Sequence, residues 1–320
     1  MTTMYAHTTS PYQLDTLRLR HTQTLVNAVS TTLYSNPIDT TLFSQSLVEL
    51  RRHLESQLSA TPAYDPATTT NAIEVLEHIL FCWICARAAY ADQQHSGDES
   101  GAMRFAKYAY IPESSILEAI QCTLCLATTP AGVVAVAKSS IPASLALSTS
   151  FVDMPTVHVV AFRALARLCT RHAADIGVMS VLDAFTRARS ALQLHNRFDT
   201  LANASFAFAM DFTTAVQAPM TPPSSASSVS DSEYEGCKMS NTRLAERVLT
   251  SALTLVNAMV DAHLDVEQRL MLRRELLGTS LYKCLKMLEE PCFENSLAVA
   301  EARRFRLTYA SDIRLHGSMP

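Results

Sequence analysis

Apolar residues recur at intervals of three and four through most of this 320-residue chain, and that period commits it to helices. Phe43, Leu47, Leu50 and Leu54 share one helical face, as do Leu14, Leu17, His21, Leu25 and Ala28 before them. The spacing returns in Phe162, Leu165, Cys169 and Ala173, in Val181, Phe185, Ala188 and Leu192, and in Phe198, Leu201, Ser205, Phe208, Phe212 and Val216. Glycine numbers only 7, and most of the 13 prolines fall between periodic stretches, where they end helices without breaking them. The fold class that follows is all-α: a multi-helix bundle or an irregular array of helical hairpins.

Breaks in the pattern order these helices. Residues 1–13, rich in Thr, Ser and Tyr, predict a flexible tail, and residues 14–218 a helical core. Within it, Ser35, Asn36 and Pro37 mark a turn, residues 61–70 a loop, and a strongly apolar helix follows from Asn71 to Ala91. From Pro112 to Met154 short apolar runs alternate with prolines, each disfavouring helix at the residue before it, and the pattern is least legible there. Asp175 and Asn196 stand where N-caps belong. Residues 219–240 open with PMTPPSSASSVSDSEYEG, a Ser/Pro-rich segment turning acidic, whose composition predicts a disordered linker. Residues 241–310 then carry leucine-striped helices expected to pack on the core. Leu244, Val248, Leu255 and Met259 mark one, Leu270, Leu277, Leu281, Leu285 and Leu288 a second, and Asn295 to Tyr309 a third, with a tail over 311–320. One internal echo stands out: TLVNAV at 24–29 returns as TLVNAM at 254–259, and each precedes an LRRxL helix, at Arg51-Arg52 and Arg273-Arg274. Similar amphipathic helices produce such a match without ancestry; a duplicated helix pair is the alternative.

Composition narrows the function. With 48% apolar and 18% charged residues there is material for one large core or two modest ones. A formal charge of −4 argues against bulk attraction to nucleic acid or acidic membranes, so any such contact must be local. Eight cysteines are too few for a disulfide scaffold in this length, and most sit among apolar neighbours, which predicts reduced, buried thiols. Residues 1–14 carry no Lys or Arg and no signal-peptide core, and the apolar stretch from Ile116 to Leu147 is interrupted by Pro130, Lys138 and Pro142. A non-secreted protein of the cytoplasm or nucleus, without a membrane span, is expected.

Two CxxC pairs, Cys82 with Cys85 and Cys122 with Cys125, are the sharpest chemical motifs, because four thiolates suit a structural zinc. Zinc-binding turns contain polar residues or glycine, whereas CWIC and CTLC lie within apolar helical stretches. Small core side chains at i and i+3 are therefore the expected role, with a metal site as the alternative. A nucleophile elbow, metal-binding His helix, Walker loop and dinucleotide fingerprint are all missing from the sequence. Cys169 and His172 are three apart on a helix, a spacing that packing explains better than a catalytic dyad. No catalytic residue and no cofactor are expected.

Charge is organised on two helices. Arg163, Arg167 and Arg171 recur every four residues opposite the Phe162, Leu165, Cys169 face, and Arg303, Arg304 and Arg306 cluster with Phe305 and Tyr309. A solvated face explains either group; binding of phosphate, nucleic acid or an acidic partner is the functional alternative. The linker offers phosphorylation candidates: Ser228, Ser230 and Ser232 each precede an acidic residue by three positions, and Thr221 precedes Pro222. Each phosphate would add about −1.5 to −2 charges.

The segment ARAAYADQQHSGDESGAMRFAKYAYIPESSILEAIQCTLCLA, residues 86–127, together with the Leu-rich helices after the linker, resembles the helical regulatory region of fungal zinc-cluster transcription regulators. That resemblance implies a regulator, and the six-cysteine cluster that reads DNA in such proteins is missing from this chain. The three helices over 156–217 are similar in spacing to helical-hairpin repeat proteins that bind RNA in organelles. The expected function is non-catalytic: an α-helical interaction or regulatory protein acting on a protein partner through a helical surface and a phosphorylated linker. A nucleic-acid-associated helical protein is the first alternative, and a self-assembling subunit of the viral shell type, a homo-oligomer, the second.

Overall fold

The computed structural model describes residues 11–60, 66–96, 106–169, 174–217, 231–262, 265–290 and 296–317. Among these residues the chain forms thirteen α-helices, one short 3-10 turn and no strand, so the fold is all-α. It divides into two compact units, Met1–Ser139 and Ser140–Pro320. The division falls inside the 14–218 stretch, where the sequence pattern shows no boundary.

The first unit comprises α1 (Pro11–Tyr34), α2 (Thr40–Ala60), α3 (Pro66–Ser96), the 3-10 turn (Ala106–Tyr110), α4 (Glu113–Leu126) and α5 (Pro130–Lys138). Helix α2 packs between α1 and α4, and its Phe43, Leu47, Leu50 and Leu54 are fully buried, as their spacing predicts. Helix α3 touches α1, α4, α5 and the 3-10 turn. Consistent with so many neighbours, it buries residues on several sides, among them Ile73, Leu76, Ile79, Leu80 and Trp83. It starts at Pro66 rather than Asn71, since proline needs no amide partner in a first helical turn. On α1 the buried face is rotated from the predicted one. Thr22, Leu25, Val26, Val29 and Leu33 are buried while His21 is exposed. Threonine can enter this interface because its hydroxyl is satisfied: Thr22 Oγ1 lies 2.7 Å from His53 Nε2 on α2.

The second unit holds α6 (Ile141–Ser148), α7 (Pro155–Cys169), α8 (Ala174–Leu192), α9 (Asp199–Gln217), α10 (Asp231–Asp261), α11 (Val266–Leu277), α12 (Leu281–Met287) and α13 (Leu297–Gly317). Helix α10 is its axis and packs on α7, α9 and α13, burying Val248, Leu253, Leu255, Val256 and Met259. It begins ten residues before Asn241, so 231–240 is helical rather than linker, and 219–230 lies outside the described residues. The Leu270 to Leu288 stripe is two helices, because the chain turns over Gly278, Thr279 and Ser280. Helix α13 continues to Gly317, and the buried Asp312 within it corrects the expectation of a tail from 311.

The proline-rich region is helical too. Pro130 and Pro142 sit in the first turns of α5 and α6, where their missing N–H costs nothing, and Thr129 caps α5 by accepting from the Gly132 amide at 3.1 Å. Two glycines permit backbone contact. A Cβ on Gly132 would fall 1.8 Å from the Leu126 carbonyl oxygen, and one on Gly177 of α8 would fall 2.0 Å from the Leu168 carbonyl oxygen at the end of α7.

Candidate functional site

The second unit buries most of its apolar side chains and leaves others exposed, among them Met179 of α8, Met271 of α11, Leu307 of α13 and Met210 on the outer side of α9. Inward, Phe198, Leu201, Ser205, Phe208 and Phe212 are buried as the period predicts; outward, Met210 is 46% exposed. Met210 stands between two open clefts and lines both. The first, about 770 Å³, is walled by Val152 ahead of α7, Pro155 at its start, Phe208 and Ala215 of α9, and Leu244 of α10. The second, about 680 Å³, lies between α9 and α12 and presents Phe206, Met287, Lys283 and Lys286. Its walls are held by a hydrogen bond of 2.8 Å from Ser280 Oγ to Asn203 Oδ1. Methionine is unbranched and polarizable, so Met210 and Met287 can adapt their shape to an occupant.

Charge on this surface is uneven. Lys283 and Lys286 are exposed one turn apart on α12, and Lys283 Nζ lies 5.9 Å from the centroid of the Phe206 ring. Glu289 beside them is held by Arg306 of α13, whose guanidinium also donates to the Leu285 carbonyl at 3.0 Å. Asp211 lies on the first cleft, and Glu289 and Glu290 line the second together with the two lysines.

Behind Phe208 sits His158 of α7, fully buried, its ring meeting that of Phe208 edge-on at 5.6 Å. Neither ring nitrogen reaches hydrogen-bond geometry. Desolvation pushes its pKa down to about 4, partly offset by the nearby Phe151 and Ser148 backbone and by Asp153, so the imidazole is neutral at pH 7.

The arginines picked out in the sequence do not form two free stripes. On α7, Arg163 is exposed but Arg167 is half-buried and engaged within the chain, while Arg171 lies outside the described residues. On α13, Arg303 is exposed. Arg304 reaches Asp261 of α10 at 2.7 Å, and Arg306 is tied to α12 as above. Much of the second cluster therefore fastens helices together. The most consequential arginine of this region was hidden in an LRRxL motif: Arg273 is fully buried, donates to the Phe305 carbonyl (2.9 Å) and Thr308 Oγ1 (2.8 Å), and faces Asp312 at 3.3 Å. Asp312 also receives Arg269 Nη2 at 2.8 Å.

The four motif cysteines occupy different surroundings. Cys82 Sγ lies 3.4 Å from His78 Nε2 with Tyr108 beside it, and the Tyr34 ring lies tilted against that imidazole with the centroids 5.2 Å apart. Burial pushes the Cys82 thiol up and the Tyr108 phenol up to about 12. Cys122 is buried under α2, 3.8 Å from the Leu47 carbonyl, and burial raises it well above the ordinary thiol value. Among the described residues no three His, Cys, Asp or Glu side chains converge as metal ligands, so Cys82, Cys85, Cys122 and Cys125 form no zinc site there. No single described helix is long and apolar enough to cross a membrane. Thr221, Ser228 and Ser230 fall outside the described residues, and Ser232 lies in the first turn of α10.

The clefts themselves were not foreseen. The sequence signal for them was present in α9, where Phe206 and Met210 interrupt an otherwise small or polar outer face, but α12 had to be separated from α11 before Lys283 and Lys286 could be placed opposite. The resemblances to zinc-cluster regulators and to hairpin-repeat proteins rest on the residues quoted for them alone, for no family model matches the chain and no curated protein is detectably similar to it.

Proposed function

We propose that the chain is a non-catalytic interaction protein that receives an apolar segment of a protein partner in the two clefts beside Met210. The observation that carries this reading is Met210, exposed and lining both clefts, with Phe208, Ala215 and Leu244 on the walls of the first and Phe206 and Met287 on those of the second. Phosphate groups on Thr221, Ser228, Ser230 or Ser232 would add charge between α9 and α10, the two helices that wall the first cleft, and that is where regulation enters the reading. The nucleic-acid alternative has less behind it, since Arg304 and Arg306 are engaged with carboxylates of the chain.

A photo-crosslinking amino acid at Met210 tests the reading in the cell that makes the protein. Covalent capture of one other protein, lost when Phe208 and Leu244 are made polar, is the expected result. Crosslinks to nucleic acid, or none, would overturn it; crosslinks between copies of this chain would turn it into self-assembly.

A further inference from the structure

We propose that His158 is a proton-operated catch: when its ring takes up a proton, the turn from Thr149 to Met154 lifts away from it, and the first cleft loses the wall that Val152 supplies. The device works whatever the clefts receive. Three observations carry it.

The first is that the ring is shut in without a partner. His158 has no exposed surface; its ring meets that of Phe208 edge-on at 5.6 Å and lies tilted against that of Phe162 at 5.9 Å. Neither nitrogen makes a hydrogen bond. A neutral imidazole leaves one donor and one acceptor unmet there, and an imidazolium would leave two donors and a full charge. The charged ring therefore favours any movement that admits water.

The second is which part of the cover gives way. On α7, Val157, Val159, Ala161 and Phe162 are buried beside the histidine, and α10 packs along the helix, so α7 is fixed. The turn lies nearer the solvent. Val152 is 55% exposed and lines the first cleft, and Asp153 is exposed. Short-range backbone bonds shape the turn: the Ser150 amide donates to Leu147, Phe151 to Ser148 and Met154 to Phe151, at 3.0, 3.3 and 3.1 Å. A solvent-facing segment joined by such bonds opens before a packed helix does.

The third is the charge around the ring. Among the described residues the charged group that acts on it is Asp153 of the turn, which favours the protonated form, as does the backbone of Phe151 and Ser148. Helix α6 carries no ionisable side chain. On α8, Asp175, Asp183, Arg187 and Arg189 are exposed, as is Arg163 of α7, while Arg167 is engaged within the chain. On α9, Asp199 accepts from the Asn196 amide and Asp211 is exposed on the first cleft. On α10, Arg243 and Arg247 are exposed, Glu246 accepts from the Leu297 amide, and Asp261 pairs with Arg304. Proton uptake at this one ring thus sets the state of the turn.

Burial holds the ring's pKa at about 4 while the turn is seated, and the open ring returns to about 6.5. Lowering the pH from 7 to 5 therefore multiplies the opening equilibrium about twentyfold.

Hydrogen exchange of the full-length chain at pH 7 and pH 5, scaled for the intrinsic pH dependence of amide exchange, tests this. The expected result is a rise of about twentyfold in the scaled rates of the Ser150, Phe151 and Met154 amides, with those of α10 from Val248 to Met259 unchanged. His158→Leu and His158→Gln should each abolish the rise, and either variant serves if the other does not fold. An equal rise in α10 would mean that acid loosens the whole unit, which overturns the catch. A rise that survives in a folded His158 variant, or wild-type turn amides that ignore pH, would overturn it as well.

Discussion

Arg273 and Asp312 meet at 3.3 Å between α11 and α13, the first with no exposed side-chain surface and the second with 6%. Arg269 completes the group from one turn away, and the Arg273 guanidinium also lies 4.8 Å from the centre of the Phe305 ring. Burial alone would raise the Asp312 pKa, but the hydrogen bond from Arg269 and the two positive charges reverse the sign and hold it below the usual carboxylate value. Replacing Asp312 by Asn strands a buried cation and should cost about 3–5 kcal/mol of unfolding free energy, measured by urea denaturation. Arg273→Met combined with Asp312→Leu removes both charges and should cost less than Asp312→Asn. Equal losses from the two variants would mean that packing, not the uncompensated charge, sets the effect.

His158 gives the second unit an acid-sensitive element. Its folded pKa, about 4, lies below the unfolded value of about 6.5, so the unfolded chain takes up the proton first as pH falls. Its contribution is fully present above pH 6.5 and is lost progressively down to about pH 4. The loss should be on the order of 3 kcal/mol. His158→Leu should leave stability at pH 7 within about 1 kcal/mol of wild type, because it removes a buried group whose nitrogens have no partner. Its stability should then fall less steeply between pH 6.5 and 4. Parallel pH profiles for the two proteins would remove His158 from the account.

The two close backbone approaches make a sharper claim. Gly132→Ala and Gly177→Ala each set a methyl against a backbone carbonyl that has no rotamer to escape through. Either change should destabilise its own unit by more than the few tenths of a kcal/mol by which alanine ordinarily improves a helix at glycine. Thermal melts that rise for either variant would contradict the geometry.

Thiol reactivity should rank by burial. Cys122, Cys169 and Cys284 are buried with raised pKa values, Cys284 up to about 12, whereas Cys85 is half-buried. Iodoacetamide at neutral pH, followed by peptide mapping, should modify Cys85 well before those three, which should react only on unfolding. Early labelling of Cys122 would show that α2 and α4 separate in the native protein.

The helices were legible in the sequence because most of them bury one stripe, and the stripe on α2 from Phe43 to Leu54 is the clearest case. What misled was chemistry that overrides polarity. Thr22 enters the α1 interface because His53 satisfies its hydroxyl, and Asn257 is buried because its amide donates to the Glu301 carbonyl at 3.0 Å and carboxylate at 2.7 Å. Arg273 and Asp312 are 39 residues apart, and neither hydropathy nor spacing marks them as a pair. The outer face of α9 was visible as a list of residues, but the clefts require knowing which helices stand across from it. That information resides in long-range packing, not in any local period.

The ion group at Arg273 also imposes an order on synthesis. A ribosome delivers α10 and α11 well before α13, and until Asp312 emerges there is no carboxylate to receive the Arg273 side chain. Burying α11 earlier would strand that charge, so the second unit has to wait for the last turns of α13. In the first unit the ion pair of Arg51 with Glu118 closes within residues 1–139.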